Sequence, residues 1–91
     1  NYQQQVRNGH RKDMVAEVYA LVTEQERNYS QSGSYQAQSL TSTNGRYTLS
    51  ITTTANSFQV TATATGEQAK DTGCTSMTLD SLGNESPSRC W

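Results

Sequence analysis

Residues 13–29, DMVAEVYALVTEQERNY, decide the fold, because their apolar side chains recur at helical spacing. At about 100° per residue, these side chains fall on roughly one third of a helix surface. They are Met14, Val15, Val18, Leu21, Val22 and Tyr29. No other part of the chain has helical period, and residues 46–64 alternate with period 2. The apolar stripe therefore predicts a helix packed on one face of an antiparallel sheet.

Length and composition limit what such a unit can do. The 91 residues suit a single domain spanning 1–91, and a chain of this size buries only a small core. Only 32% of the residues are apolar and the mean hydropathy is −0.82, so the surface should be rich in neutral polar side chains. Seven Lys and Arg against eight Asp and Glu give a net charge of −1, which provides no global signal for nucleic acid or an anionic membrane. A basic patch could still form locally.

The order of patterns predicts an α+β fold with a helix over about 2–30, a connecting loop over 31–45, and a sheet and C-terminal region over 46–91. Alternation predicts strands at 46–52, 58–64 and 74–80, within a sheet of three to four strands, and a loop from residue 81 onward. The chain begins without a recognisable capping box for its helix. The predicted core side chains of the sheet are Leu49, Ile51, Phe58, Val60, Met77 and Leu79.

The two cysteines predict a disulfide between Cys74 and Cys90. Fifteen residues separate them, which is no zinc-binding spacing, and the chain has only one histidine to add to them. A disulfide indicates an oxidising compartment, and closing a loop of this size contributes about 3 kcal/mol on the chain-entropy model.

The opposite side of the helix carries a second set of small or apolar residues. By the same angular arithmetic, Tyr2, Val6, Ala16 and Ala20 project away from the stripe that faces the sheet. This arrangement predicts a face that packs against other subunits. The alternative is that Tyr2 and Val6 are ordinary exposed residues at a frayed helix end.

Enzymatic function finds little support in the residues. His10 sits beside Gly9 on the helix, predicted far from any strand-end loop, so a Ser-His-Asp triad is disfavoured. Glu17, Glu24 and Glu26 are better explained as a solvated helix face than as paired catalytic acids. We predict no catalytic residue, no metal site and no cofactor.

Nine segments, taken in order along the chain, carry a resemblance to a known family: Arg11-Lys12-Asp13, Glu26-Arg27-Asn28-Tyr29, Ser32-Gly33-Ser34-Tyr35, Tyr47-Thr48-Leu49, Phe58-Gln59-Val60-Thr61-Ala62-Thr63, Asp71-Thr72-Gly73-Cys74, Met77-Thr78-Leu79-Asp80, Gly83 and Cys90-Trp91. With these segments the chain resembles the soluble part of a type IV minor pilin of the PilE kind. The resemblance implies a pilin fold, a Gram-negative bacterium, and a location in the periplasm and then in a surface pilus. It also implies other major and minor pilins as partners.

Pilins of this kind begin with a cleaved leader, a methylated first residue, a nearby glutamate and an apolar half-helix, none of which precedes Asn1. We therefore expect the chain to be a truncated pilin whose missing apolar helix would anchor it in the inner membrane before assembly. On this view the face formed by Tyr2, Val6, Ala16 and Ala20 packs against neighbouring subunits.

The resemblance implies a structural minor pilin that contributes to pilus assembly or initiation, and hence to twitching motility, adhesion or DNA uptake. The alternative is a DNA-binding minor pilin of the ComP type, a receptor in natural transformation, for which Arg46, Lys70 and Arg89 are the candidate contacts. Phosphate contacts would require such positive charge close to the C-terminal disulfide. The net acidic charge, the presence of only three such residues and the single predicted disulfide stand against this alternative. The other explanation of the three residues is that they are scattered charges that keep the protein soluble. A third hypothesis is a type II secretion pseudopilin.

Overall fold

The computed structural model of the protein describes residues 1–91 and begins with a helix of 31 residues, α1 (Tyr2–Ser32). Although no capping box precedes it, Asn1 caps the helix, and its side-chain oxygen accepts from the Gln4 backbone N–H at 2.8 Å. Gly33 ends the helix in the left-handed conformation, with φ of 79°, and donates to the Tyr29 carbonyl. No helix combines the length and apolarity that crossing a membrane requires.

The sheet has five antiparallel strands in the order of the chain. They are β1 (Gln38–Thr41), β2 (Tyr47–Thr53), β3 (Phe58–Ala64), β4 (Ser76–Asp80) and β5 (Glu85–Ser86). The helix-on-sheet plan is confirmed, but the prediction of three to four strands was too low. β1 lies in the segment predicted to be a loop and β5 in the predicted terminal loop. A two-residue strand cannot show a period, and Leu40 is the only apolar residue of β1, so neither segment alternates apolar with polar residues in its sequence.

The core lies between the helix and the inner face of the sheet. Met14 and Val18 are fully buried, and all six core residues predicted for the strands are buried as well. Val15, Leu21 and Val22 pack at the margin of this core. The core is completed by Tyr47, Ala62 and Ala64 of the sheet and by Cys74 and Cys90.

Tyr29 is not part of the buried core, contrary to the prediction, and is half-buried. Its ring stacks on Tyr35 with a centroid separation of 4.5 Å, and Tyr35 in turn packs edge-on against Phe58. The segment after the helix folds back along it and is held there by the buried side chain of Gln25. The Gln25 amide donates to the Gln36 carbonyl and accepts from the Gln36 N–H, both at 2.8 Å. This segment therefore covers Tyr29 in place of the sheet.

The C-terminal region is closed by the predicted disulfide. Cys74 and Cys90 are bonded, with a Cα–Cα distance of 5.8 Å, and both are buried. A short 3₁₀ turn, Ser88–Cys90, follows β5 and leads to Trp91, which is half-buried. The Trp91 ring meets Tyr19 edge-on at a centroid separation of 6.2 Å. The chain end is thus tied both to the sheet and to the helix.

Candidate nucleic-acid interface

The basic residues gather at one end of the molecule. Residue 46 directly precedes β2, and residue 70 ends the 3₁₀ helix Gly66–Lys70 that follows β3. Because β5 runs antiparallel to β4, the segment after it returns to the edge where β4 begins and brings residue 89 there. The first half of α1 lies over the same edge. Six of the seven Lys and Arg residues form this basic end, namely Arg7, Arg11, Lys12, Arg46, Lys70 and Arg89.

The opposite end is acidic. Arg27 is its one basic residue, and four acidic residues surround the second half of the helix and the far turns of the sheet. These acidic residues are Glu24, Glu26, Asp80 and Glu85. The other four carboxylates, Asp13, Glu17, Glu67 and Asp71, lie at the basic end. Six basic and four acidic residues give that end a net charge of +2, and one basic and four acidic residues give the opposite end −3, so the total of −1 conceals a separation of charge along the molecule.

A buried Gln68 holds the start of α1 on the sheet. Its side-chain N–H groups donate to the Arg7 carbonyl and the Tyr47 hydroxyl, both at 2.9 Å. Its amide oxygen lies 3.1 Å from Nδ1 of His10. The Asn44 side chain also donates to the His10 carbonyl at 3.2 Å. The prediction that His10 lies far from any strand-end loop was wrong, because two such segments close over this part of the helix.

Asp71 forms a second buried connection beside the first. Only 3% of its side chain is exposed, and one carboxylate oxygen accepts from Arg11 at 2.5 Å. The other oxygen accepts from the Gln4 side chain at 2.9 Å. Arg11 therefore neutralises a buried carboxylate of its own chain and leaves the other basic residues to face solvent.

Of the three predicted contacts, Arg46 and Lys70 lie around a single carboxylate, Glu67. Nζ of Lys70 stands 3.0 Å from a Glu67 oxygen, and both side chains are largely exposed. The hydrogen bond from Lys70, followed by the charge of Lys70, lowers the pKa of Glu67. The charges of Arg7 and Arg46 lower it further. The structure thus brings Arg46 and Lys70 into one cluster with Arg7.

Arg89 stands apart from this cluster, at the other end of the segment 66–74. Its Nη2 donates to the Gly73 carbonyl at 3.3 Å, and the side chain has no acidic partner. Because Gly73 directly precedes the disulfide-bonded Cys74, Arg89 extends the basic end toward the C-terminal disulfide.

The sequence prediction missed Arg7. At about 100° per residue, Arg7 and Arg11 continue the line of Met14 and Val18, so their spacing could have placed them over the sheet edge. Only the fold shows that Arg7 then lines the same groove as Arg46. This groove has a volume of about 360 Å³ and is lined by Tyr2, Gln3, Val6, Arg7, His10, Arg46, Glu67 and Gln68.

The face predicted to pack against other subunits is open. Tyr2 is 78% exposed and Val6 is 36% exposed, and Ala16 and Ala20 are also exposed. Tyr2 and Val6 also line the groove beside Arg46.

A long helix on an antiparallel meander with a C-terminal disulfide is the architecture of a type IV pilin. The structure is similar to the one described as the high-resolution structure of a type IV pilin from Shewanella oneidensis, with a TM-score of 0.68 and 30% sequence identity. The alignment covers 98% of this chain and 97% of that one. Residues 1–78 match the family described as type IV minor pilin ComP, DNA uptake sequence receptor. No curated protein matches the chain.

The chain belongs to the ComP family of type IV minor pilins. It is a pilin subunit and not an enzyme, and the type IV pilin family implies a place in the pilus at the cell surface.

Proposed function

We propose that this minor pilin binds double-stranded DNA through its basic end and serves as a receptor in DNA uptake. The observation that carries the proposal is the gathering of six of the seven basic residues at one end of a molecule whose net charge is negative. The family match supports the same function and favours the DNA-receptor hypothesis over a purely structural role in assembly. It gives no support to a type II secretion pseudopilin.

Phosphate binding is the chemistry that this end can supply. Arginine and lysine side chains release counterions from DNA when they neutralise phosphates. Each contact therefore makes the slope of log affinity against log salt concentration more negative by about 0.9. Arg7, Lys12, Arg46, Lys70 and Arg89 are the available cations, because Arg11 is engaged by Asp71. Five contacts would give a slope between roughly −4 and −5.

Phosphate contacts alone carry no sequence information. Asn44 lies near Arg46 and has an amide of the kind that pairs with adenine, but its oxygen and one of its two N–H groups are already engaged within the chain. Its oxygen accepts from the Ser42 hydroxyl at 2.7 Å and from the Arg46 backbone N–H at 3.0 Å. Its side-chain N–H donates to the His10 carbonyl. We therefore assign Asn44 to shaping the loop and not to contacting bases.

Fluorescence anisotropy with labelled double-stranded DNA at two salt concentrations tests the proposal. We expect saturable binding that weakens with salt and is lost in the triple variant Arg46→Ala, Lys70→Ala, Arg89→Ala. Arg27→Ala removes a positive charge from the acidic end and should leave binding intact. If the wild-type protein fails to bind at low salt, or if Arg27→Ala weakens binding as much as a single substitution in the triple set, the assignment to the basic end is wrong.

We also propose that the open helix face formed by Tyr2, Val6, Ala16 and Ala20 packs against other pilins in the pilus. Two exposed apolar side chains, with two small residues about 15 Å further along the same helix face, suit packing against another helix. In the full-length pilin, Tyr2→Asp with Val6→Asp should block incorporation into pili, measured by immunoblotting of sheared pili. Thr52→Asp, on the exposed outer face of the sheet, is the control. Unchanged incorporation of the helix variant would contradict this role.

A further inference from the structure

Arg89 rests directly on the backbone of Gly73. Gly73 adopts φ of +86°, and a Cβ atom built on it would lie 2.0 Å from Nη2 of Arg89 and 3.2 Å from Cζ. Nη2 also donates to the Gly73 carbonyl at 3.3 Å. A residue with a side chain would therefore displace the guanidinium in addition to straining the backbone.

The disulfide lies directly next to this contact. Gly73 immediately precedes Cys74, and Arg89 immediately precedes Cys90, so the covalent bond fixes the neighbours of both residues. Sγ of Cys90 lies 3.5 Å from the same Gly73 carbonyl oxygen that accepts from Arg89. The segment after β4, with Arg89, also lies outside the residues 1–78 that match the family.

We propose that Gly73 and the Cys74–Cys90 disulfide preorganise Arg89 as an oriented phosphate contact. This inference rests on the proposed DNA-binding function. With one nitrogen bound to the Gly73 carbonyl, the planar guanidinium keeps further N–H groups for a phosphate oxygen. An arginine that is already held in place loses less conformational freedom when it binds. Arg46 has no comparable support, since its guanidinium forms no hydrogen bond within the chain.

The test compares two glycines of matched backbone conformation. Gly83 has φ of +87°, and a Cβ there would meet nothing within 4 Å, so Gly83→Ala reproduces the backbone strain of Gly73→Ala without touching Arg89. We expect Gly73→Ala to lower affinity for double-stranded DNA by about tenfold. Its salt dependence should be retained because the charge remains. Gly83→Ala should bind as the wild-type protein does.

Substitution of Arg89 separates orientation from charge. Arg89→Ala should lower affinity and reduce the salt slope by about 0.9. Arg89→Lys should restore the slope but not the affinity, because an ammonium group lacks the planar fork that the Gly73 carbonyl orients. Adding Gly73→Ala to Arg89→Ala should have no further effect.

The Cys74→Ser, Cys90→Ser variant is first checked for folding by circular dichroism. Its affinity for double-stranded DNA should be lowered as in Gly73→Ala. Equal affinities of Gly73→Ala and Gly83→Ala, or full rescue by Arg89→Lys, would overturn the inference while DNA binding stood. Absence of DNA binding by the wild-type protein would instead remove the proposed function and this inference with it.

Discussion

Removal of the Asp71 carboxylate should destabilise the protein severely. In Asp71→Ala, Arg11 loses its partner at 2.5 Å and the Gln4 side chain loses its acceptor at 2.9 Å, in a site where the Asp71 side chain is only 3% exposed. Breaking a buried ion pair costs about 3 to 5 kcal/mol, and we take about 3 kcal/mol because Arg11 is 18% exposed and can reach water. For a domain of this size, that cost lowers the unfolding midpoint by roughly 15 °C.

Thermal unfolding followed by circular dichroism, with the disulfide intact, measures this effect. Glu67→Ala is a close control, because the side chains of the Glu67–Lys70 ion pair are 62% to 70% exposed and solvent screening leaves such a pair little effect on stability. In a double-mutant cycle, the losses of unfolding free energy caused by Asp71→Ala and Arg11→Ala should be strongly non-additive. If Asp71→Ala costs no more than Glu67→Ala, the buried connection between the helix and residue 71 does not hold the helix on the sheet.

Three further predictions concern the core, the basic end and the response to pH. Leu49→Ala should lower the free energy of unfolding by about 2 to 5 kcal/mol in urea titrations, because Leu49 is fully buried; exposed Thr48→Ala is the control. Glu67→Gln should strengthen DNA binding about twofold to fivefold by anisotropy, since it removes the carboxylate among three basic side chains; unchanged affinity would place DNA elsewhere. Hydrogen bonds from the backbone and side chain of Asn84 lower the pKa of Asp80, so the stability that they add is present above about pH 4 and lost as pH falls through the folded-state value. Melting curves of wild type and Asp80→Asn should therefore differ at neutral pH and converge in acid.

The charge separation also bears on how DNA would approach. The acidic end would repel DNA and the basic end would attract it, so encounter should be oriented before any specific contact forms. Within the basic end, the carboxylates of Asp71 and Glu67 have different roles. Asp71 is buried and stabilises the fold, whereas Glu67 is exposed and offsets positive charge at the surface.

The helix, the three longer strands and the disulfide could be predicted from the sequence. Each is a local or nearly local property. The 3.6-residue period of Met14, Val18 and their neighbours reports which side of a helix is buried, and the period of 2 in residues 47–53 and 58–64 does the same for strands. The chain has only two cysteines, and their spacing fits no metal site, so the disulfide pairing could be predicted as well.

The short strands and the candidate site depended on the tertiary structure. β1 and β5 pair with the edges of β2 and β4, and neither alternates apolar with polar residues in its sequence. Gln68 and Asp71 read as residues of a polar loop, yet both are buried by a helix about 60 positions away in the chain. The sequence predicted Arg46, Lys70 and Arg89 as candidate phosphate contacts, whereas Arg7 became a candidate only because the fold places it in the same groove as Arg46.

The physical reason is that periodicity records which side of an element is buried, whereas contacts between distant segments depend on how the chain reverses. The sequence alone determined a helix on a sheet, closed by a disulfide, with basic residues scattered along it. The tertiary structure alone decided that six of those residues share one end, and that Arg89 lies on the one glycine whose missing side chain makes room for it.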